Sequence, residues 1–265
     1  MSDCIRVLMN GIAGKMGRAM TAGLAKESDI QVVAGVDVKG GSDMGVLCGM
    51  EANGILVQTD LAAAIGEARP DVVVDFTNPQ VVMKNIRVAL ENKTPIIVGS
   101  TGITEDDLIT IEELCAKYET QVFIAPNFAL GAILMMRFAQ EAAAYFPHVE
   151  VIERHHDQKL DAPSGTAIKT MEMMSKNRGI FAQGAANEFE KINGSRGGDY
   201  QGMRVHSVRL PGYVATQEVV FGGLGQVLTI KHDALSRDTY LPGLILSLRK
   251  IKELKGLVYG LDKIM

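Results

Sequence analysis

Asn10-Gly11-Ile12-Ala13-Gly14-Lys15-Met16-Gly17-Arg18 follows a short apolar run, Ile5 to Met9, and precedes a helical pattern that reaches about Lys26. A strand, a glycine turn and a helix in that order bring backbone N–H groups and a helix N-terminus against a pyrophosphate with no side chains in the way. The spacing is G-x-x-G-x-x-G, not the commoner G-x-G-x-x-G, and such a turn also serves simply to pack a helix tightly on a sheet. The next segment favours the first reading. Gln31 to Val36 is a second apolar run ending at Asp37, twenty residues after Gly17, where a dinucleotide site places an acid on the ribose hydroxyls. Asp37 favours NADH, while Lys39, two residues on, is placed to meet a 2′-phosphate and keeps NADPH open.

Three more buried-type strands follow, Val72 to Phe76, Ile96 to Gly99 and Val122 to Ala125, separated by helical stretches near 60–68, 79–92 and 104–118. This alternation predicts an α/β fold with a Rossmann-like, doubly wound parallel sheet. Ligands of such sheets bind at the carboxyl ends of the strands. The candidate cofactor-binding residues are therefore Gly11, Ile12, Ala13, Gly14, Lys15, Met16 and Asp37 on one side. On the other are Gly99, Ser100, Thr101, Ala125, Pro126, Asn127 and Phe128, expected to line the nicotinamide half.

An apolar helix, Leu130 to Phe146, leads out of this domain to Glu153-Arg154-His155-His156-Asp157-Gln158-Lys159-Leu160-Asp161-Ala162-Pro163-Ser164-Gly165-Thr166-Ala167. Val149 to Glu153 alternates as a half-buried strand does, and Ala167 to Ser175 is rich in helix formers, so the chemistry lies on a strand-to-helix connection. Imidazole gives or takes a proton near neutral pH, and lysine supplies a positive charge or a proton. The turn at Pro163 to Thr166 opens a helix whose N–H groups and dipole attract a carboxylate or phosphate. A metal site competes for His155, His156, Asp157 and Asp161. Adjacent histidines on an extended chain point to opposite sides and Lys159 repels a cation, so no metal is expected.

Beyond that helix, Arg178 to Gly202 holds six glycines and reads as a long mobile loop. Arg204 to Leu210, Thr216 to Phe221 and Val227 to His232 are strand-like and read as an antiparallel or mixed sheet, giving a second, α+β domain whose sheet has one face free to bury in an oligomer. Tyr240 to Leu254 reads as a final amphipathic helix with no strand after it.

With 47% hydrophobic residues in 265 and a net charge of −4, the chain can bury a large core and lacks the basic runs of a nucleic-acid surface. Cys4, Cys48 and Cys115 are scattered and odd in number, which fits a reducing, cytoplasmic setting. No targeting pattern opens the sequence, and its most apolar run, Phe128 to Met136, is too short to span a bilayer. Neither a nucleic-acid nor a membrane partner is expected.

These residues resemble the 4-hydroxy-tetrahydrodipicolinate (dihydrodipicolinate) reductase family over essentially the whole chain. The run from Glu153 through His155, His156, Lys159 and Asp161 to Ala167 looks like the family signature without a gap. Gly11 to Gly17, Asp75-Phe76-Thr77, Gly99 to Gly102, Ala125 to Phe128 and Ser207 to Gly212 match as well. The resemblance implies NADH- or NADPH-dependent reduction of a cyclic dicarboxylate in lysine and diaminopimelate biosynthesis. It implies His155 as proton donor or acceptor, Lys159 as proton donor, and His156, Gly165 and Thr166 as substrate-binding residues. It further implies a homotetramer and a division into residues 1–127, with 238–265 returning to them, and 128–237, which bind substrate and form the oligomer. Asn10 stands where a small residue is more usual, and Asp37 with Lys39 replaces a glutamate–arginine pair found in some members, which leaves the cofactor preference open.

Overall fold

A computed structural model describes residues 4–179 and 181–265. In chain order its elements are β1 (Ile5–Asn10), α1 (Lys15–Leu24), β2 (Ile30–Val36), α2 (Met44–Leu47), α3 (Leu61–Ala68), β3 (Val72–Asp75), α4 (Val82–Glu91), β4 (Ile96–Val98), α5 (Glu105–Tyr118) and β5 (Val122–Ile124). They continue with α6 (Leu130–Ala142), β6 (His148–His155), α7 (Gly165–Arg178), β7 (Gly198–Tyr200), β8 (Met203–Arg209), β9 (Ala215–Gly223), β10 (Gln226–Ala234), α8 (Leu241–Lys250) and β11 (Leu257–Tyr259). Two compact units result, one of residues 1–128 with 237–265 and one of residues 129–236.

The first unit holds a six-stranded sheet in the order β11-β5-β4-β3-β1-β2, every pair parallel. Strands covered on both faces read as continuous apolar runs, and Val72, Val73, Val74, Ile96, Ile97 and Val98 are all fully buried. Helices start where side chains satisfy their free N–H groups: Asp60 caps α3, and Thr104 with Asp107 forms a reciprocal capping box on α5. Because all strands run the same way, the ends at Asn10, Asp75, Val98 and Ile124 share one edge.

Two expectations need correction here. The last helix ends at Lys250 and passes through a 3₁₀ turn, Ile251–Glu253, into β11, which adds a sixth strand beside β5. Three residues, Leu257-Val258-Tyr259, are too few for alternation to register in a sequence. The boundaries also shift by one residue from 127 and 238. Phe128 packs edge-on against Phe76 and Phe123, with ring centroids 5.8 and 6.5 Å apart. Arg237 opens a 3₁₀ turn to Tyr240 that packs on α1.

The second unit holds a five-stranded sheet, β10-β9-β6-β8-β7. It is mixed, not antiparallel: β6 runs antiparallel to β9 but parallel to β8, because the long connection through α7 allows a crossover. One face is covered by α6 and α7, where Ala139, Ala143, Met171 and Met174 meet Val149, Val151, Val205, Val219 and Phe221. Among its described residues, the stretch from Arg178 to Gly202 is more than a plain loop. It contains β7, and the buried Arg178 guanidinium donates to the carbonyls of Pro147, Phe181, Gln201 and Gly202. Those backbone acceptors have no counterpart in a sequence pattern. Among the described residues no helix is long and apolar enough to cross a membrane.

Candidate functional site

At the end of β1 the chain turns through Gly11, whose φ of +82° is a conformation glycine adopts without strain. A Cβ there would sit 2.6 Å from the carbonyl oxygen of Phe76, and one on Gly17 would strike the Gly11 carbonyl. The turn thus lies against the end of β3 on one side and α1 on the other. Gly14 is the N-cap of α1 without a side-chain cap, leaving the helix N-terminus open beside Lys15. The Ala13 N–H donates to Asp37 Oδ2 (2.9 Å) and the Lys39 N–H to Asp37 Oδ1 (3.2 Å), so the acid following β2 stands directly against the glycine turn.

Gly99, Ser100 and Thr101 follow β4, and Ala125, Pro126, Asn127 and Phe128 follow β5, so they share the sheet edge of Gly11 to Met16 and Asp37. A Cβ on Gly99 would overlap the Phe76 ring, which explains glycine there. Sequence reasoning missed the centre of this edge. Asp75 is fully buried and accepts from Asn10 Nδ2 (2.8 Å), Asn85 Nδ2 (2.8 Å), Thr77 N (3.1 Å), Thr77 Oγ1 (2.7 Å) and Ser100 Oγ (2.7 Å). Asn10, unusual in its motif, is one of five neutral donors around a buried carboxylate. Asn85, on α4, gives no sequence signal for this role.

In the second unit β6 carries Glu153 and His155, two residues apart and so on one face. The Nδ1 of His155 lies 2.6 Å from Glu153 Oε2. Arg209, beside His155 in the register of β8, donates from both terminal nitrogens to the two Glu153 oxygens at 2.8 Å each. Burial alone would raise the Glu153 carboxyl, but hydrogen bonds from His155, Arg209 and Ser207 outweigh it and hold the group at about 2. The partnership raises Arg209 in turn.

The turn after β6 exposes His156 and brings Lys159 Nζ to 2.7 Å from Asp161 Oδ1, which holds Asp161 below its usual carboxylate range. Ser164 caps α7 by accepting from the Ala167 N–H (3.2 Å), and Gly165 and Thr166 form the first positions of that helix. His155, His156, Lys159, Gly165 and Thr166 therefore lie on one continuous strand–turn–helix segment. The sequence reading gave Glu153 and Arg209 no role. Period-two spacing links Glu153 to His155, but no spacing rule reaches Arg209, 56 residues on. Among the described residues no group of three or more His, Cys, Asp or Glu is arranged to hold a metal ion.

Comparison with known proteins matches residues 5–128 to the dihydrodipicolinate reductase N-terminus and residues 131–265 to the dihydrodipicolinate reductase C-terminus. The chain belongs to the dihydrodipicolinate reductase family. A 4-hydroxy-tetrahydrodipicolinate reductase of Desulfitobacterium hafniense is 54% identical over 263 residues, 98% of both chains. The one from Moorella thermoacetica is 52% identical over 264 residues, again 98% of both. Among solved structures, a dipicolinate-bound dihydrodipicolinate reductase from Paenisporosarcina sp. TG-14 covers 99% of this chain and 100% of its own, with 41% identity and a TM-score of 0.86. As in other members of this reductase family by sequence, both halves are present: the C-terminal match includes residues 237–265, which return to the first unit.

Proposed function

We propose that this protein reduces 4-hydroxy-tetrahydrodipicolinate to tetrahydrodipicolinate at the expense of NADH or NADPH, in lysine and diaminopimelate biosynthesis. The observation that carries the reading is identity of 54% spread over 98% of both chains with a reductase of that name, which leaves neither unit unmatched. The first unit fits a dinucleotide: glycines occupy the positions where a Cβ would block the turn, and Asp37 borders it. Gly11 to Met16 would hold the pyrophosphate, Asp37 the ribose hydroxyls, and Gly99 to Thr101 with Ala125 to Phe128 the nicotinamide half. When bound, the reduced nicotinamide supplies a hydride.

Reduction uses one hydride and one proton, and the 4-hydroxyl leaves as water, so an acid must serve the substrate as it gains electrons. His155 and Lys159 are the side chains for that work, both half-buried beside a carboxylate that orients them. The diacid needs two anchors. The first turn of α7, at Gly165 and Thr166, offers N–H groups and a helix N-terminus to one carboxylate. His156 and Lys159 offer donors to the other. The Paenisporosarcina relative, solved with the diacid dipicolinate, supports this assignment of ligand chemistry. A homotetramer formed through the uncovered face of the second sheet and a cytoplasmic location complete the reading; exposed Val227 on β10, which points away from the helix-covered side, supports the first, and three free cysteines the second.

The test is turnover of the enzymatically generated substrate, followed by loss of reduced nicotinamide absorbance. Lys159→Ala lowers kcat by about 10²- to 10⁴-fold while NADH binding survives. Thr166→Ala acts mainly on KM for the diacid. Unchanged turnover in Lys159→Ala removes that residue from the chemistry.

A further inference from the structure

Every acceptor position of Glu153 is used. Its Oε2 accepts from His155 Nδ1 (2.6 Å) and Arg209 Nη1 (2.8 Å); its Oε1 accepts from Arg209 Nη2 (2.8 Å) and the Ser164 N–H (3.2 Å); the Ser207 side chain is a further donor to the same carboxylate. The carboxylate is fully buried and the guanidinium grips it through two parallel bonds, the geometry in which a carboxylate keeps its charge. A carboxylate without a proton only accepts. The nitrogen facing it, Nδ1, must therefore be the protonated one in the neutral ring, which leaves Nε2 as the nitrogen free to gain and lose a proton. Arg209 Nη2 also donates to the Asp161 carbonyl at 2.8 Å. One carboxylate thus ties β6, β8, the turn carrying Lys159 and the start of α7.

We propose that Glu153, held by Arg209, is a positioning residue for the reduction: it commits the Nδ1 proton of His155 and so makes Nε2 the nitrogen that serves the substrate. This rests on the reading of His155 as proton carrier. Glu153→Gln tests it because an amide has no satisfied orientation in this site. With its NH₂ at the Oε1 position it meets two fixed N–H donors, Arg209 Nη2 and the Ser164 N–H; at the Oε2 position it meets one, Arg209 Nη1, and gains a bond to a deprotonated Nδ1, while the Ser207 hydroxyl can turn to accept or donate in either case. The second orientation wins, and it moves the ring proton to Nε2.

The experiment is nitrogen-15 NMR of the histidine rings at alkaline pH, with steady-state kinetics on the same samples. The wild-type ring of His155 is expected to carry its proton on Nδ1. In Glu153→Gln the two ring-nitrogen shifts exchange and kcat falls by about 10²-fold or more, while KM for NADH stays within about twofold. A wild-type ring protonated on Nε2 overturns the proposal without need of any variant. So does a Glu153→Gln protein in which tautomer and turnover do not change together. Full turnover in His155→Gln would instead remove His155 as proton carrier, which separates failure of that reading from failure of this one.

Discussion

Replacing Gly17 with Ala sets two effects against each other. Gly17 lies inside α1, where Ala is favoured over Gly by about 1 kcal/mol. Its added Cβ, however, would lie 2.7 Å from Ile12 Cα and 3.0 Å from the Gly11 carbonyl carbon, and closer still to the Gly11 oxygen. Ordinary contact begins near 3.4 Å, so the helix and the turn must part by about 0.7 Å or more. Neither side yields easily. The obstacles are main-chain atoms, and the turn is pinned by Gly11 N and Ile12 N donating to the Val36 carbonyl at 2.8 and 3.2 Å. Overpacking of this kind costs about 1–3 kcal/mol, and rigid backbone puts it toward the upper end, so the net is a loss of about 1–2 kcal/mol. The turn is also the proposed pyrophosphate seat, and misplacement by about 1 Å is expected to weaken kcat/KM for NADH by about 10- to 10²-fold. Urea unfolding read at constant slope gives the first quantity, and initial rates against NADH concentration give the second. Gly23→Ala is the control in the same helix: the atoms nearest its Cβ belong to the Leu241 side chain, at 2.5 Å, which can turn aside. That variant is expected near wild type in kcat/KM. A Gly17→Ala protein as stable as wild type with unchanged kcat/KM refutes the steric account.

Two further outcomes follow from the buried carboxylates. Glu153 is held at about 2, below its ordinary 4.5, so its contribution to stability is complete above pH 4.5 and is lost as pH falls toward 2. That contribution is at most about 3 kcal/mol; denaturant titrations at stepped pH should show the wild-type curve dropping through this window and a shallower drop for Glu153→Gln, and parallel curves would refute it. Asp75→Asn puts an NH₂ group among donors, at Asn10 and Asn85 on one side or Thr77 and Ser100 on the other. A loss of about 1–3 kcal/mol in urea unfolding is expected, with weaker NADH binding by fluorescence titration as Ser100 and Thr77 loosen; wild-type values for both would refute it.

The parallel sheet was legible because its strands are buried on both faces and each ends at a glycine or polar turn, so Val72 to Val74 and Ile96 to Val98 stand out as short apolar runs between helical periods. The strand–turn–helix geometry of the candidate site segment was legible for a different reason: His155, Lys159 and Thr166 belong to a single stretch, and local spacing carries local geometry. What escaped depends on chain segments far apart. β11 is fixed by pairing with Val122 to Ile124, 135 residues earlier, and not by its own three residues. The parallel register of β6 with β8 follows from a crossover that leaves no mark in either strand. Arg209 and Asn85 look like ordinary strand and helix residues until the fold sets them against Glu153 and Asp75. Arg178, read as the start of a loop, is the side chain that gathers four of that loop's neighbouring carbonyls.

Glu153 and Asp75 are both completely buried, and the difference in their surroundings separates their roles. Asp75 is met by five neutral donors drawn from β1, the β3 end, α4 and the turn after β4, and among the described residues no cation touches it. Neutral donors fix direction without supplying a counter-charge, so its effect is to lock the strand ends that shape one edge of the sheet. Glu153 instead holds a guanidinium and an imidazole on the same pair of oxygens. Removing one partner of such a group leaves a buried charge uncompensated, which is far more costly than losing a neutral bond. Arg209 therefore cannot be exchanged for a neutral residue without disturbing His155, whereas a single donor to Asp75 can be lost while four remain. The coupling runs from a buried ion pair to the orientation of one imidazole ring, and it is this ring, not the ion pair, that is proposed to serve the substrate.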